Sequence, residues 1–232
     1  MSTESPHSQT LSRGIRVLEI LAEADRTMTI ADVAATLGVH RSIAYRILRT
    51  LEDHGLVARD AAGALSLGPR MAALARGVAR DLQAAALPEL TAVANELGLT
   101  AFVTLLDHQE VVTLVSVEPR HAHAAVAQRP GTRHPLAVGA PGIAIQSALT
   151  EVQWTAVAPD QSKRHEATDA AARGYATSHD EVIAGLRSVA VPLMADGHPA
   201  AAVAVVYVAS EFPVERIAER LATAVAAITR EL

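Results

Sequence analysis

Between Met28 and Leu56 apolar residues recur at helical spacing in two short runs. Ile30, Val33, Ala34 and Leu37 follow i, i+3, i+4, i+7 and mark one face of a first helix. Thr29 stands at its N-cap with Asp32 three residues on, a capping-box pair, and Gly38 suits the end of a helix where the backbone turns left-handed. A second helix begins near His40 and buries Ile43, Ala44, Ile47, Leu48 and Leu51. Upstream, Thr10 is expected to cap a helix with Leu11, Ile15, Val17, Leu18 and Leu21 inward. Downstream, Leu56-Val57 and Leu65–Leu67 read as two short strands around a turn holding Asp60 and Gly63.

The polar side of the second helix changes the picture. At about 100° per residue, Ser42, Tyr45, Arg46 and Arg49 fall opposite the buried stripe, with Arg41 at the leading edge and no carboxylate before Glu52. Two helices, a Gly turn and a bare basic face form the pattern of a helix-turn-helix, and the hairpin after it that of a wing. Arginine neutralises phosphate, and Arg, Ser and Tyr hydrogen-bond base edges or backbone. The expected DNA contacts are Thr29, Arg41, Ser42, Tyr45 and Arg46, with Arg49 and Arg59 on phosphate. The competing reading is an ordinary helical pair with a solvated basic face.

Residues 1–9 lack periodicity and are expected to be a disordered tail, 10–68 the winged helix-turn-helix, and 69–86 a linker helix with Pro69 in its first turn. A second helix runs from Pro88 to Leu97. The period then changes. LTAFVTLLD and EVVTLVSVE read as a hairpin, a strand is expected near 124–128, and Gly139 to Leu149 is an alanine-rich helix. Residues 150–165 are poorly patterned. A short helix from Ala167 to Arg173, strands at 175–178, 186–193 and along AAAVAVVYVAS, and an amphipathic helix from Val214 complete the chain. Residues 87–232 therefore read as an α+β domain, an antiparallel sheet with packed helices.

Composition narrows the class. The 232 residues are half apolar but only 3% aromatic, so the core is aliphatic. The chain has no cysteine, no apolar run of about 20 residues, and no basic-then-apolar start; the expectation is a cytoplasmic protein without a membrane segment. The net charge of −5 divides unevenly, with ten arginines against eight carboxylates in residues 1–80 and ten basic against seventeen acidic groups beyond. A mildly basic head on an acidic body fits two modules with different partners. His121 and His123 share a strand face near Asp107 and His108, but no third ligand is placed, and no metal or other cofactor is assigned. Ser178-His179-Asp180-Glu181 reads as a solvated loop, since adjacent residues do not converge into a triad.

Taken in order, LSRGIRVLEILAEA, RILRTLEDHGLVARD, LSLGPRMAALA, PGTRHPLAVGAPGIAI and ARGYATSHDEVIAGLRSVAVPLMADGHPAAAVAV resemble the IclR-type bacterial transcriptional regulators over nearly the full length. The resemblance implies a winged helix-turn-helix, a linker helix and a GAF-like effector-binding domain. It further implies a homodimer or dimer of dimers on palindromic double-stranded DNA operators, with DNA affinity modulated by a small molecule and repression the commoner mode. By the family pattern the effector pocket takes His134, Ala140, Pro141 and Gly142 from the loop and helix start. It takes Ser178, Arg187 and Ser188 from the following segment, and Ala204 and Val206 from the last central strand. Where relatives that bind small hydrophilic acids carry hydroxyls, this strand has Ala204 and Val206, and Ser178 stands near where they carry an acid. The expected effector is accordingly an aromatic or other larger organic acid. The alternatives are an enzyme or carrier whose N-terminal module serves oligomerisation, and a DNA-binding protein without an effector.

Overall fold

The protein, in a computed structural model, is described over residues 8–121 and 126–232 and divides into two compact units between Val78 and Ala79. The first unit holds α1 (Gln9–Glu23), α2 (Ile30–Leu37), α3 (Arg41–Asp53), β1 (Val57–Arg59), β2 (Leu65–Leu67) and α4 (Arg70–Ala75). The capping box that starts α2 is complete. Thr29 Oγ1 accepts from the Asp32 amide, and the Asp32 carboxylate accepts from the Thr29 amide. Gly38 ends α2 at φ +66°, a conformation that costs a Cβ-bearing residue free energy. β1 and β2 pair antiparallel, Val57 opposite Leu67, and the Asp60 carboxylate holds their turn by accepting from the amides of Ala62 and Ala64.

α1 differs from its expected form. Ser8, not Thr10, is the cap, and the buried face is Gly14, Val17 and Ile20. Leu11 and Ile15 stand 64% and 50% exposed. The rotation has a packing cause: Gly14, lacking a side chain, lies against Ile47 and lets α1 approach α3. The linker differs too. The expected helix over 69–86 stops at Ala75, Ala79 takes a left-handed φ of 41°, and α5 (Arg80–Leu97) then runs unbroken through Pro88. Gly77 weakens the helix where it breaks. Pro88 loses one backbone bond, but a buried stripe of Leu82, Ala86, Leu90, Val93 and Leu97 continues across it and offsets that loss.

After α5 the second unit contains β3 (Thr100–Asp107), β4 (Glu110–Val117), β5 (Arg133–Pro135), α6 (Gly139–Ala148), α7 (Glu151–Val157) and α8 (His165–Arg173). It ends with β6 (Ala176–His179), β7 (Arg187–Leu193), β8 (Ala201–Tyr207) and α9 (Val214–Glu231). The strands form one antiparallel sheet in the order β5-β4-β3-β8-β7-β6. Two elements escaped the sequence reading. β5 lies in a segment expected to be loop, and α7 opens the stretch after Leu149 with a Thr150/Gln153 capping box. Residues 126–128 are not strand; the expected strand there, the tail residues before Ser8 and His123 fall partly or wholly outside the described residues.

Side-chain alternation divides the sheet into two faces. Ala101, Val103, Val189, Val191, Val203 and Val205 pack under α5 and α9. Phe102, Ala176, Ala190, Ala202, Ala204 and Val206 pack under α6 and its neighbours. The second face is paved with small residues, so α6 settles close to it. Close approach reaches the backbone as well: a Cβ on Gly142 would lie 2.3 Å from the Leu136 carbonyl oxygen. Gln146, 1% exposed, locks the helix sideways by donating to that carbonyl and accepting from the Arg164 amide. Among the described residues no helix is long and apolar enough to cross a membrane.

Two outcomes follow from this packing. Gly142→Ala should lower stability by about 1–3 kcal/mol in urea unfolding, because the obstructing atom is backbone. At the start of α5, His198 Nε2 lies 3.0 Å from Asp81 Oδ2, and hydrogen bonding to this carboxylate raises the imidazole above its ordinary 6.5. A raised folded-state value stabilises fully below about 6.5, and the gain disappears as pH rises through the raised value. The melting temperature of wild type should therefore exceed that of His198→Gln most at about pH 6, and the difference should shrink by about pH 9.

Candidate functional site

α3 presents Arg41, Ser42, Tyr45, Arg46 and Arg49 together on its exposed side, Tyr45 being 46% exposed. His40 caps the helix, its Nδ1 lying 2.9 Å from Ser42 Oγ. Arg49 reaches Asp53 at 3.4 Å across an exposed helix turn, a pair that water screens. Two of the residues expected to touch DNA also have partners within the protein. The Thr29 hydroxyl donates to Asp32 at 2.7 Å as part of the cap, and Arg26, on the same carboxylate, holds it well below the usual range. The Arg59 guanidinium sits 2.6 Å from Glu52, both partly buried, so its charge is balanced within the protein. Glu52 is the partner the sequence reading missed, one helix and one turn away from Arg59.

In the second unit a cavity of about 50 Å³ lies where α6 begins against the sheet. Phe102, Val206 and Leu186 supply apolar wall, and His134, Gln128, Ser178 and Ser188 supply polar atoms. Val182 and Ile183 cover it from the loop between β6 and β7. At Gly139, φ is +80° and a Cβ would meet Val182 at 2.9 Å, so the roof lies directly on the helix start. Burial pushes His134 below its ordinary value. Its Nδ1 faces the Pro135 carbonyl at 3.1 Å, an atom that only accepts, so Nδ1 carries the proton and Nε2 of the neutral ring is an acceptor near Gly139.

The amino end of α6 is closed by two side chains from beyond α8. Ser178 Oγ accepts from the Ala140 amide at 2.9 Å, and Glu181 Oε2 accepts from the Gly139 amide at 2.9 Å. The third helical residue, Pro141, has no N–H. Glu181 is itself held by Arg164, which also donates to the Ala137 carbonyl and pairs with Glu166, whose carboxyl it lowers to about 2. A resident carboxylate thus occupies the position at a helix start where an anion binds well.

Of the expected pocket residues, His134, Pro141, Ser178, Arg187, Ser188 and Val206 line the cavity. Ala140 and Ala204 do not; both are fully buried between α6 and the sheet, and Gly142 is spent on the approach to Leu136. Arg187 contributes to the rim only. It stands opposite Tyr207, and the strand alternation turns its side chain to the Tyr207 face, away from Ser188. The Ser188 hydroxyl donates to the Val205 carbonyl. Glu181, Val182 and Ile183 were missed because the loop carrying them has no periodicity; reading Glu181 as solvated is corrected by its two partners. Among the described residues no cluster of three or more His, Cys, Asp or Glu is placed to hold a metal.

Comparison with known proteins shows the family of the chain. The IclR helix-turn-helix domain matches residues 10–61, and the bacterial transcriptional regulator IclR C-terminal domain matches residues 76–232. The chain is 31% identical over 250 residues to the glycerol operon regulatory protein of Streptomyces griseus, covering 97% of this chain and 96% of that one. The crystal structure of an IclR transcriptional regulator from Alicyclobacillus acidocaldarius superposes with a TM-score of 0.82 at 27% identity, over 97% of this chain and 99% of that one. An IclR homologue from Microbacterium hydrocarbonoxydans, crystallised with 4-hydroxybenzoate, shares the fold with a TM-score of 0.82 at 24% identity and the same coverage. With both units matched and the full length aligned, the chain belongs to the IclR family, transcriptional regulators that join a DNA-binding helix-turn-helix to an effector-binding C-terminal domain.

Proposed function

We propose that this regulator is a cytoplasmic repressor that binds a palindromic operator as a homodimer or dimer of dimers and responds to an aromatic acid. Arg41, Ser42, Tyr45 and Arg46 meet DNA first, and Arg49 holds phosphate. The observation that carries the effector reading is the Glu181 carboxylate on the Gly139 amide beneath the Val182–Ile183 roof. The cavity of about 50 Å³ is smaller than the roughly 150 Å³ of an apolar cavity that admits benzene. An incoming carboxylate takes the Gly139 amide from Glu181, and the roof that Glu181 anchors lifts to admit the ring. Phe102, Val206 and Leu186 then pack the ring, and His134 Nε2 accepts from a ring hydroxyl where one is present. Lifting the roof disturbs the β6–β7 loop and, through it, the effector domain as a whole.

Binding to DNA from upstream of the protein's own gene, measured with benzoate, 4-hydroxybenzoate, pyruvate and glyoxylate, tests the reading. The aromatic acids should weaken DNA binding and the two small acids should not; the reverse order would overturn the ligand class. Arg46→Ala should cost about 1–3 kcal/mol at one operator position if it reads a base, or lower affinity uniformly with a salt slope smaller by about one if it holds phosphate. Glu181→Ala should lower stability by about 1–2 kcal/mol, since it uncaps α6. The same variant should bind the aromatic acid roughly three- to tenfold more tightly, because one competing hydrogen bond is gone. Weaker acid binding by this variant would show that Glu181 receives the ligand and does not compete with it.

A further inference from the structure

The recognition helix α3 has two flanks, and they differ in charge. A helix about 10–12 Å across seated in a major groove of similar width has a phosphate backbone on each side. On the wing flank Tyr45, Arg49 and Arg59 stand with Glu52, whose carboxylate offsets the Arg59 charge. On the other flank a groove of about 560 Å³ separates α3 from the first turns of α1. Its polar wall is Ser8, Thr10 and Arg13 from the α1 side and Arg46 and Thr50 from α3. No carboxylate lines it, and neither Arg13 nor Arg46 has an ion-pair partner among the described residues. The Thr50 hydroxyl is already spent on the Arg46 carbonyl. Two guanidiniums without an ion-pair partner among the described residues thus line one groove beside the DNA-reading side chains.

We infer that the α1–α3 groove is the principal backbone clamp of the DNA-binding unit, and that Arg13, outside the helix-turn-helix itself, holds a DNA phosphate together with Arg46. The ligand is the phosphodiester backbone of duplex DNA. Arg13 is half-buried and lines the groove together with the apolar Ile43, Ile47 and Leu51, a setting in which an arginine buries its stem and keeps its guanidinium in water. Arg16, one turn further along α1, is paired with Glu19 at 3.0 Å and lies outside the groove. The two arginines on one helix therefore have different roles.

The test is a salt series of binding by the full-length protein to a random-sequence duplex and to the upstream fragment, followed by fluorescence anisotropy. Arg13→Gln should weaken binding to both duplexes by roughly three- to tenfold and reduce the slope of log K against log salt by about one. Arg13→Lys, which keeps the charge, should retain the slope. Arg16→Gln removes the same charge outside the groove and should leave the slope unchanged. Thermal melting of each variant separates loss of contact from loss of fold. Unchanged affinity and slope in a folded Arg13→Gln, as a groove buried between two copies of the chain would give, overturns the inference. So does a loss confined to the upstream fragment, or an equal loss with Arg16→Gln.

Discussion

A helix that begins inside a protein must find acceptors for its first amides, because a buried N–H without a partner costs a large part of a hydrogen bond's strength. α6 begins in that situation. Gly139 and Ala140 are buried, Val138 offers no capping side chain, and the sheet beneath is built of alanine and valine. The acceptors come from far along the chain, Ser178 at the end of β6 and Glu181 in the loop after it. Meeting that requirement folds the loop over the helix start, encloses the cavity and places a carboxylate in it. The candidate effector site is thus a consequence of capping one helix.

The helix is able to begin there because its neighbours are small. Ala190, Ala202 and Ala204 on the sheet and Gly142 on the helix bring α6 to within backbone contact of Leu136. Larger residues on the opposite face, against α5 and α9, supply the apolar area that stabilises the unit. The two faces of one sheet are therefore specialised, one for burial and one for closeness. In the DNA-binding unit Gly14 has the same effect, bringing α1 against α3 and forming the groove beside the recognition helix.

Local signals were readable in the sequence where the physics is local. The Thr29/Asp32 capping box, Gly38, the α3 stripe, the wing and the β3–β4 hairpin each depend on residues a few positions apart, and each stands where the pattern placed it. The phase of α1 was misread because Leu11 and Ile15 look like core residues until Gly14 turns out to be the contact with Ile47. The linker break was missed because Pro88 is the stronger breaker in isolation, and only the buried stripe across it explains why α5 continues. At the site, strand parity decided what family likeness did not: Arg187 belongs to the cavity rim by position and to the Tyr207 face by its side chain. Arg59–Glu52 and Glu181–Arg164 are pairings across 7 and 17 residues that no periodicity encodes.

The proposed effector acts by exchanging with Glu181 at the start of α6. Hydrogen–deuterium exchange of the full-length protein, with and without the aromatic acid that shifts DNA binding, tests it directly. If the acid exchanges with Glu181, the Gly139 and Ala140 amides stay protected, because one acceptor replaces another, while amides of residues 180–186 exchange faster as the roof lifts. Slower exchange throughout 180–186, or changes confined to segments away from α6, would contradict it.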